Sequence, residues 1–198
     1  MSCSRFLRIP VLAAMCLIIA GCGNNPSISA QFNASATAPA PGLIKLVERS
    51  HSGSRVRVDV LLYGPEPGLD LFAFRFGIKI GNDNVARLVP QSHYNQSALV
   101  ASDGQLISID VDAASDPSLV QIDLGKTNGA GNAVAGPSAV VLEVTFDVQS
   151  SGTTTLTLVG LDDEPPHALD ARGTTIAAVH FDAASASVMG VSSGGSGY

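Results

Sequence analysis

The chain has 198 residues, 45% of them hydrophobic and 14% charged, with 11 basic residues against 17 acidic ones. That length suits one domain with tails. A net negative chain with no Lys/Arg cluster argues against nucleic acid and against an anionic membrane surface as its ligand. At the start, Arg5 and Arg8 precede an apolar run from Val11 to Ala20, far short of the ~20 residues that a helix needs to cross a bilayer core. Basic residues, a short apolar stretch and then small residues follow the order of a secretory signal peptide, so residues 1–21 are set apart from the fold.

The signal ends in Ile19-Ala20-Gly21-Cys22, which resembles the lipobox of bacterial lipoproteins. The resemblance implies that the Cys22 sulfur receives a diacylglyceryl group, that the chain is cut just before it, and that the new amine is acylated. Each buried methylene adds about 0.8 kcal/mol, so several acyl chains together anchor where one binds only reversibly. Gly23 rather than Asp follows the cysteine. In Gram-negative lipoproteins that resembles the default for outer-membrane sorting, which implies a lipid-anchored place in the cell envelope. Cys3 and Cys16 leave with the signal, so neither a disulfide nor a thiolate metal cluster is expected in the mature chain. Nine basic residues then remain against 17 acidic ones.

Residues 22–42, GNNPSISAQFNASATAPAPG after the cysteine, hold little apolar area to repay ordering, which predicts a flexible tether. The residues 191–198, ending SSGGSGY, predict a disordered tail. Between them, residues 43–190 alternate. In RVRVDVLLY the residues Val56, Val58, Val60 and Leu62 share one face, the period of a half-buried strand. In LDLFAFRFGIKI the predicted core face is Phe72, Phe74, Phe76, Ile78 and Ile80. In AVVLEVTFDVQ it is Val140, Leu142, Val144, Phe146 and Val148, with Glu143, Thr145 and Asp147 outward. Shorter strands are predicted near Ile44, Leu88, Ile109, Ile122, Leu156, Val179 and Val188. Turn chemistry separates them at Gly64–Gly68, Gly81–Asn84, Asn128–Asn132, Ser150–Gly152 and Glu164–Pro166. About nine short strands without a capped helix predict an all-β sandwich of jelly-roll type.

Taken in order, these strands resemble a cohesin domain, the module that binds dockerins in bacterial cellulosomes. The likeness rests on RVRVDVLLY, then FAFRFGIKIGNDNVARLV, then GPSAVVLEVTFDVQSSGTTTLTL, then TIAAVHFDAASASVMG. Where cohesins often carry Tyr-Asp-Pro after the aromatic strand, this chain has Ile80-Gly81-Asn82-Asp83, which keeps the turn and loses its signature. In cohesins one flat sheet face meets the dockerin, and the resemblance places strands 69–80, 105–112 and 118–124 near that face. Their outward residues Arg75, Lys79, Ser108, Asp110, Gln121 and Asp123 are the implied contacts with a protein partner, a dockerin-bearing one in that family.

Other chemistry is sparsely supplied. His51, His93, His167 and His180 are scattered and no G-x-S-x-G elbow occurs, so a non-enzyme is expected. Asp110, Asp112 and Asp116, with Asp162-Asp163-Glu164, offer hard oxygens that would suit Ca²⁺, but no DxDxDG loop is present; no cofactor is expected. Sugar rings stack on exposed aromatic faces. The chain has no tryptophan, leaving Tyr63 and Tyr94 as platforms. A carbohydrate-binding or adhesion module acting on polysaccharide, and a purely structural envelope lipoprotein, stay open as alternatives.

Overall fold

The computed structural model describes residues 27–64, 69–91, 99, 107–113, 115–127, 130–133 and 136–193. Cys22, His93 and Tyr94 lie outside the described residues. Within them the chain forms strands and no helix: β1 Ser27–Asn33, β2 Leu43–Ser52, β3 Arg55–Tyr63, β4 Asp70–Leu71, β5 Ala73–Ile80, β6 Ala86–Leu88, β7 Ile107–Asp112, β8 Leu119–Lys126, β9 Asn132–Ala133, β10 Ser138–Val148, β11 Gly152–Val159, β12 His167–Leu169, β13 His180–Phe181 and β14 Ala186–Ser193. The larger sheet runs β1-β14-β11-β5-β8-β7, and β12 pairs with β5 beyond β11. The smaller runs β13-β2-β3-β10-β6, and β4 with β9 makes a short ribbon. Facing each other, the two sheets form the jelly-roll sandwich expected from the alternation.

The alternation places the core. Val56, Val58, Val60 and Leu62 of β3 are fully buried, as are Phe76 and Ile78 of β5. Phe76 reaches Phe181 of the opposite sheet with ring centroids 5.4 Å apart, in a tilted pair that adds to the area it buries. Phe72 is half-buried, because it sits in the step between β4 and β5.

In β10 the expected phase fails locally. The register shifts between Val140 and Leu142, a bulge whose extra residue resets the period of two. Ala139 and Val141 are therefore buried and Val140 is half-buried. Glu143 does lie on the outward side, yet it is only 3% exposed. Arg49 Nε stands 3.2 Å from its Oε2, and Arg57 Nε donates to its Oε1 at 2.8 Å. Arg49 also meets Asp59 at 3.2 Å. Burial raises the Asp59 carboxyl above its usual pKa, against the opposing pull of Arg49.

The segment expected as a tether is largely part of the domain. β1 pairs antiparallel with β14 from Ser27↔Ser193 to Asn33↔Ser187, so β14 also extends into the residues expected as tail. Ala30 is fully buried, and Ile28 and Phe32 pack on the core. Ala30 N–H donates to Gly53 O of the other sheet at 2.8 Å. A segment too polar to fold alone needs little apolar area of its own when a ready sheet edge receives its backbone.

Beyond β1 the chain is clasped. Ser35 and Thr37 hydroxyls donate to Asp182, the latter at 2.8 Å. Lys45 Nζ donates to Ser35 O at 2.8 Å and to Thr37 O. Burial alone would raise the Asp182 pKa. The Ser35, Ala184 N–H and Thr37 hydrogen bonds, with the Lys45 charge, outweigh it and hold the carboxyl below its usual range.

The registers also define two poles. One holds the starts of β1, β8 and β11 with the turns at Gly53, Asn82–Asn84 and Ser150–Ser151, tied by Val148 N to Ser54 O at 2.8 Å and Gln149 N to Val85 O at 2.9 Å. The other holds the end of β1, the starts of β5 and β10, β12, and the chain from Gly160 to Thr175.

Candidate functional site

The outer face of β12, β5, β8 and β7 is where cross-strand register gathers polar side chains. Partners in antiparallel pairs project to the same side. His167 pairs with Arg75, Arg75 with Asp123, and Asp123 with Asp110, giving one row across four strands. The next row holds Gly77, Gln121 and Asp112. On the other side Ala73 pairs with Gly125 and Gly125 with Ser108, while Lys79 pairs with Leu119 two rows from Arg75. Arg75, Lys79, Asp110, Gln121 and Asp123 thus belong to one face, with Arg75, Asp110 and Asp123 in a single row, and Ser108 takes the register position opposite Gly125.

Sequence reasoning did not foresee how the chain after β11 closes over this face. Glu164 N–H donates to Leu161 O at 2.9 Å, making a tight hairpin whose two central residues, Asp162 and Asp163, have φ of 52° and 66°. Two successive left-handed residues are the demand of a type I′ turn. Gly160 permits the fold-back: a Cβ there would lie 1.8 Å from Glu164 O. Leu161, 6% exposed, settles over Gly77, where an added Cβ would stand 3.0 Å from Leu161 Cδ2 and from Leu119 Cδ1.

That hairpin delivers two carboxylates to Arg75. Its Nη2 donates to Asp162 Oδ2 at 2.5 Å, and its Nη1 is 3.9 Å from Glu164 Oε2. Nε stands 3.4 Å from Asp123 Oδ1, yet it is shielded and makes no aligned hydrogen bond among the described residues. Arg75 is therefore a half-exposed hub among three carboxylates with one donor unsatisfied. Ala73, Arg75, Asp110, Asp123, Glu164 and His167 line a shallow depression of about 620 Å³ around it. At the other end of the face, Asp116 is held below its usual pKa by the Ser118 hydroxyl and N–H, with the Lys79 charge assisting.

Asp110 and Asp112 are both exposed on β7. Asp162 and Glu164, offered above as cation ligands, face the Arg75 guanidinium instead. Among the described residues no group of three or more His, Cys, Asp or Glu side chains is placed to hold a metal ion. Of the histidines, His51 meets Glu48 at 2.5 Å and His167 meets Pro165 O at 2.9 Å. Tyr63 is half-buried among Pro39, Pro41 and Pro137, away from this face. The missed residues, Asp162, Glu164 and His167, had one signal in the sequence: two aspartates between Gly160 and Pro165-Pro166, where a turn needs left-handed residues.

No protein-family model matches the sequence, and no curated protein does. Solved structures do match in fold. The chain is similar to the type II cohesin dyad of the adaptor scaffoldin ScaA of Acetivibrio cellulolyticus, with a TM-score of 0.53 and 13% identity over 75% of this chain and 48% of that one, so it spans about half of the dyad. It is also similar to the second type II cohesin module of the same cellulosomal adaptor, with a TM-score of 0.50 and 10% identity over 79% of this chain and 94% of that one. At such identities the likeness is one of fold: this chain is a jelly-roll β-sandwich built like cohesin modules.

Proposed function

We propose that this protein is a non-catalytic binding module that captures a protein partner on the outer face of β12, β5, β8 and β7. The observation that carries the reading is Arg75: a half-exposed guanidinium in the middle of a four-strand row, surrounded by carboxylates and short of one hydrogen bond. Arginines of this kind, set in a depression, are where binding energy concentrates, and the exposed side of the guanidinium can exchange its carboxylates for a partner's acceptor. The cohesin-like fold supports a dockerin-bearing protein as the partner class. Arg75, Asp110, Gln121 and Asp123, joined by Asp162 and Glu164, are its contacts, with Lys79 and Ser108 at the margins. Cys22 anchors the module to the cell envelope by lipid, on the outer membrane, and the presented face requires no metal or cofactor.

The test is a binding assay of the lipid-free chain from Gly23 against purified dockerin-bearing proteins, with and without EDTA, and beside an Arg75→Glu variant. Saturable binding that the variant loses supports the reading. Retention on a polysaccharide column with no dockerin bound overturns it. An effect of EDTA is assigned to one partner by titrating each separately with Ca²⁺.

A further inference from the structure

The new observation is how little chain separates the anchor from the fold. β1 begins at Ser27, so if Cys22 carries the lipid only residues 23–26 intervene, a span of at most about 18 Å at full extension. A free tether reaching to Leu43 would instead let the domain tumble at several times that distance. We infer that the domain is held in a fixed attitude, with the pole of turns at Gly53, Asn82–Asn84 and Ser150–Ser151 against the lipid surface and the Arg75 row toward the far end. This inference rests on the lipid-anchored reading of Cys22.

Two independent features of the described residues set that attitude. The first is topology. Ser27 pairs with the final strand residue Ser193, and Ala30 is level with both Gly190 and the Gly53 turn. The chain therefore leaves the domain at the turn pole, beyond the turns themselves. Following the pairings through β14 and β11 to β5 puts Arg75 at the opposite pole, roughly 30–40 Å away along twisted strands.

The second is charge. Around the Arg75 pole, among the described residues, Asp110, Asp123, Asp162, Asp163, Glu164 and Asp170 stand against Arg75, Arg172 and the buried Lys126. At the turn pole, among the described residues, Arg55, Lys79 and Arg87 offset Asp83, Asp116 and Asp147, and the turns are otherwise built of Ser, Gly and Asn. An anionic leaflet repels the first pole and tolerates the second within a Debye length. The lipid supplies the attachment, and the charge asymmetry keeps the Arg75 end of the binding face farthest from the leaflet.

The full lipidated protein, carrying a dye at Ser151→Cys or at Ala171→Cys, is placed on vesicles of phosphatidylethanolamine and phosphatidylglycerol doped with a headgroup acceptor dye. Both positions are exposed and at opposite poles. Co-sedimentation with the vesicles is read first. Energy transfer is expected from Ser151→Cys and largely lost from Ala171→Cys. A flexible Gly/Ser spacer of about 20 residues inserted between Asn25 and Pro26 is expected to remove the difference. Equal transfer from the two positions on co-sedimenting protein overturns the attitude while leaving the anchor standing. No co-sedimentation overturns the anchor, and the inference with it.

Discussion

Asp182 is the most direct handle on the reassignment of residues 27–42 from tether to domain. Its carboxylate is 5% exposed and accepts from the Ser35 and Thr37 hydroxyls and from Ala184 N–H, the last at 3.0 Å. Hydrogen bonds to a charged group contribute about 1.5–3 kcal/mol each and do not add in full, while removing the carboxylate also removes its desolvation cost. Asp182→Ala is therefore expected to cost about 2–4 kcal/mol at pH 7, which lowers Tm by roughly 5–12 °C for a domain of this size. Thermal unfolding of the lipid-free chain followed by circular dichroism reads it. The sign with pH follows from the depressed pKa of Asp182. Its contribution is complete above the unfolded carboxylate value of about 3.9 and fades as pH falls through the folded value, so wild type and variant converge in acid. A chain beginning at Leu43 lacks Ser35 and Thr37, and in it the same substitution is expected to cost at least about 1 kcal/mol less. A cost within about 0.5 kcal/mol of zero at pH 7, or the same cost in both chains, would refute the clasp.

Four further outcomes follow from the contacts described above. Arg75→Glu should weaken partner binding by at least about tenfold, a 1.4 kcal/mol change, in isothermal calorimetry; because it sets a fourth carboxylate beside Asp123, Asp162 and Glu164, Arg75→Gln is the companion that should weaken binding in the same direction while the loss of exposed ion pairs, worth under about 1 kcal/mol, leaves Tm nearly unchanged. Asp163→Gly relieves a left-handed residue in the 161–164 turn and should add about 0.5 kcal/mol of stability in urea unfolding, the gain offset in part by glycine's freer unfolded state. Gly160→Ala forces a Cβ against Glu164 O; it should leave the core folded by circular dichroism and lower partner affinity, because Asp162 and Glu164 lose their place at Arg75. Glu143→Ala strands Arg49 and Arg57 on the opposite sheet face and should cost about 2 kcal/mol in urea unfolding without touching partner binding.

Where a strand carries its own apolar face, the alternation alone predicts it. β3 and β5 bury the residues that period two assigns, and Arg75 and Lys79 fall outward for the same reason. β10 shows where the rule stops: a single extra residue at Val141 shifts the phase, and nothing in AVVLEV distinguishes a bulged pairing from a regular one, because valines suit both sides. Buried polar groups escape for a different reason. Glu143 and Asp59 alternate as outward residues should, and it is Arg49 reaching over from β2, with Arg57 beside Glu143, that covers them.

The candidate site divides along the same line. Arg75, Gln121, Asp123 and Asp110 were legible because each sits on a strand whose period announces its side. Asp162, Glu164 and His167 were not, since they reach the face through a turn whose geometry depends on Gly160 meeting Glu164 across the fold-back. β1 is the sharpest case. SISAQFN has the composition of a linker, and judged alone it cannot repay its ordering. Its pairing with β14 changes the account: the sheet edge already exists, backbone hydrogen bonds run from Ser27 to Asn33, and Ala30, flanked by Ile28 and Phe32, closes the gap over the core. Composition limits what a segment can do by itself, whereas an edge strand is stabilised by a neighbour fixed more than 150 residues later in the chain. The same long-range pairing draws the end of the fold toward Cys22, so one edge strand decides both where the domain begins and how closely an anchor at that cysteine would hold it.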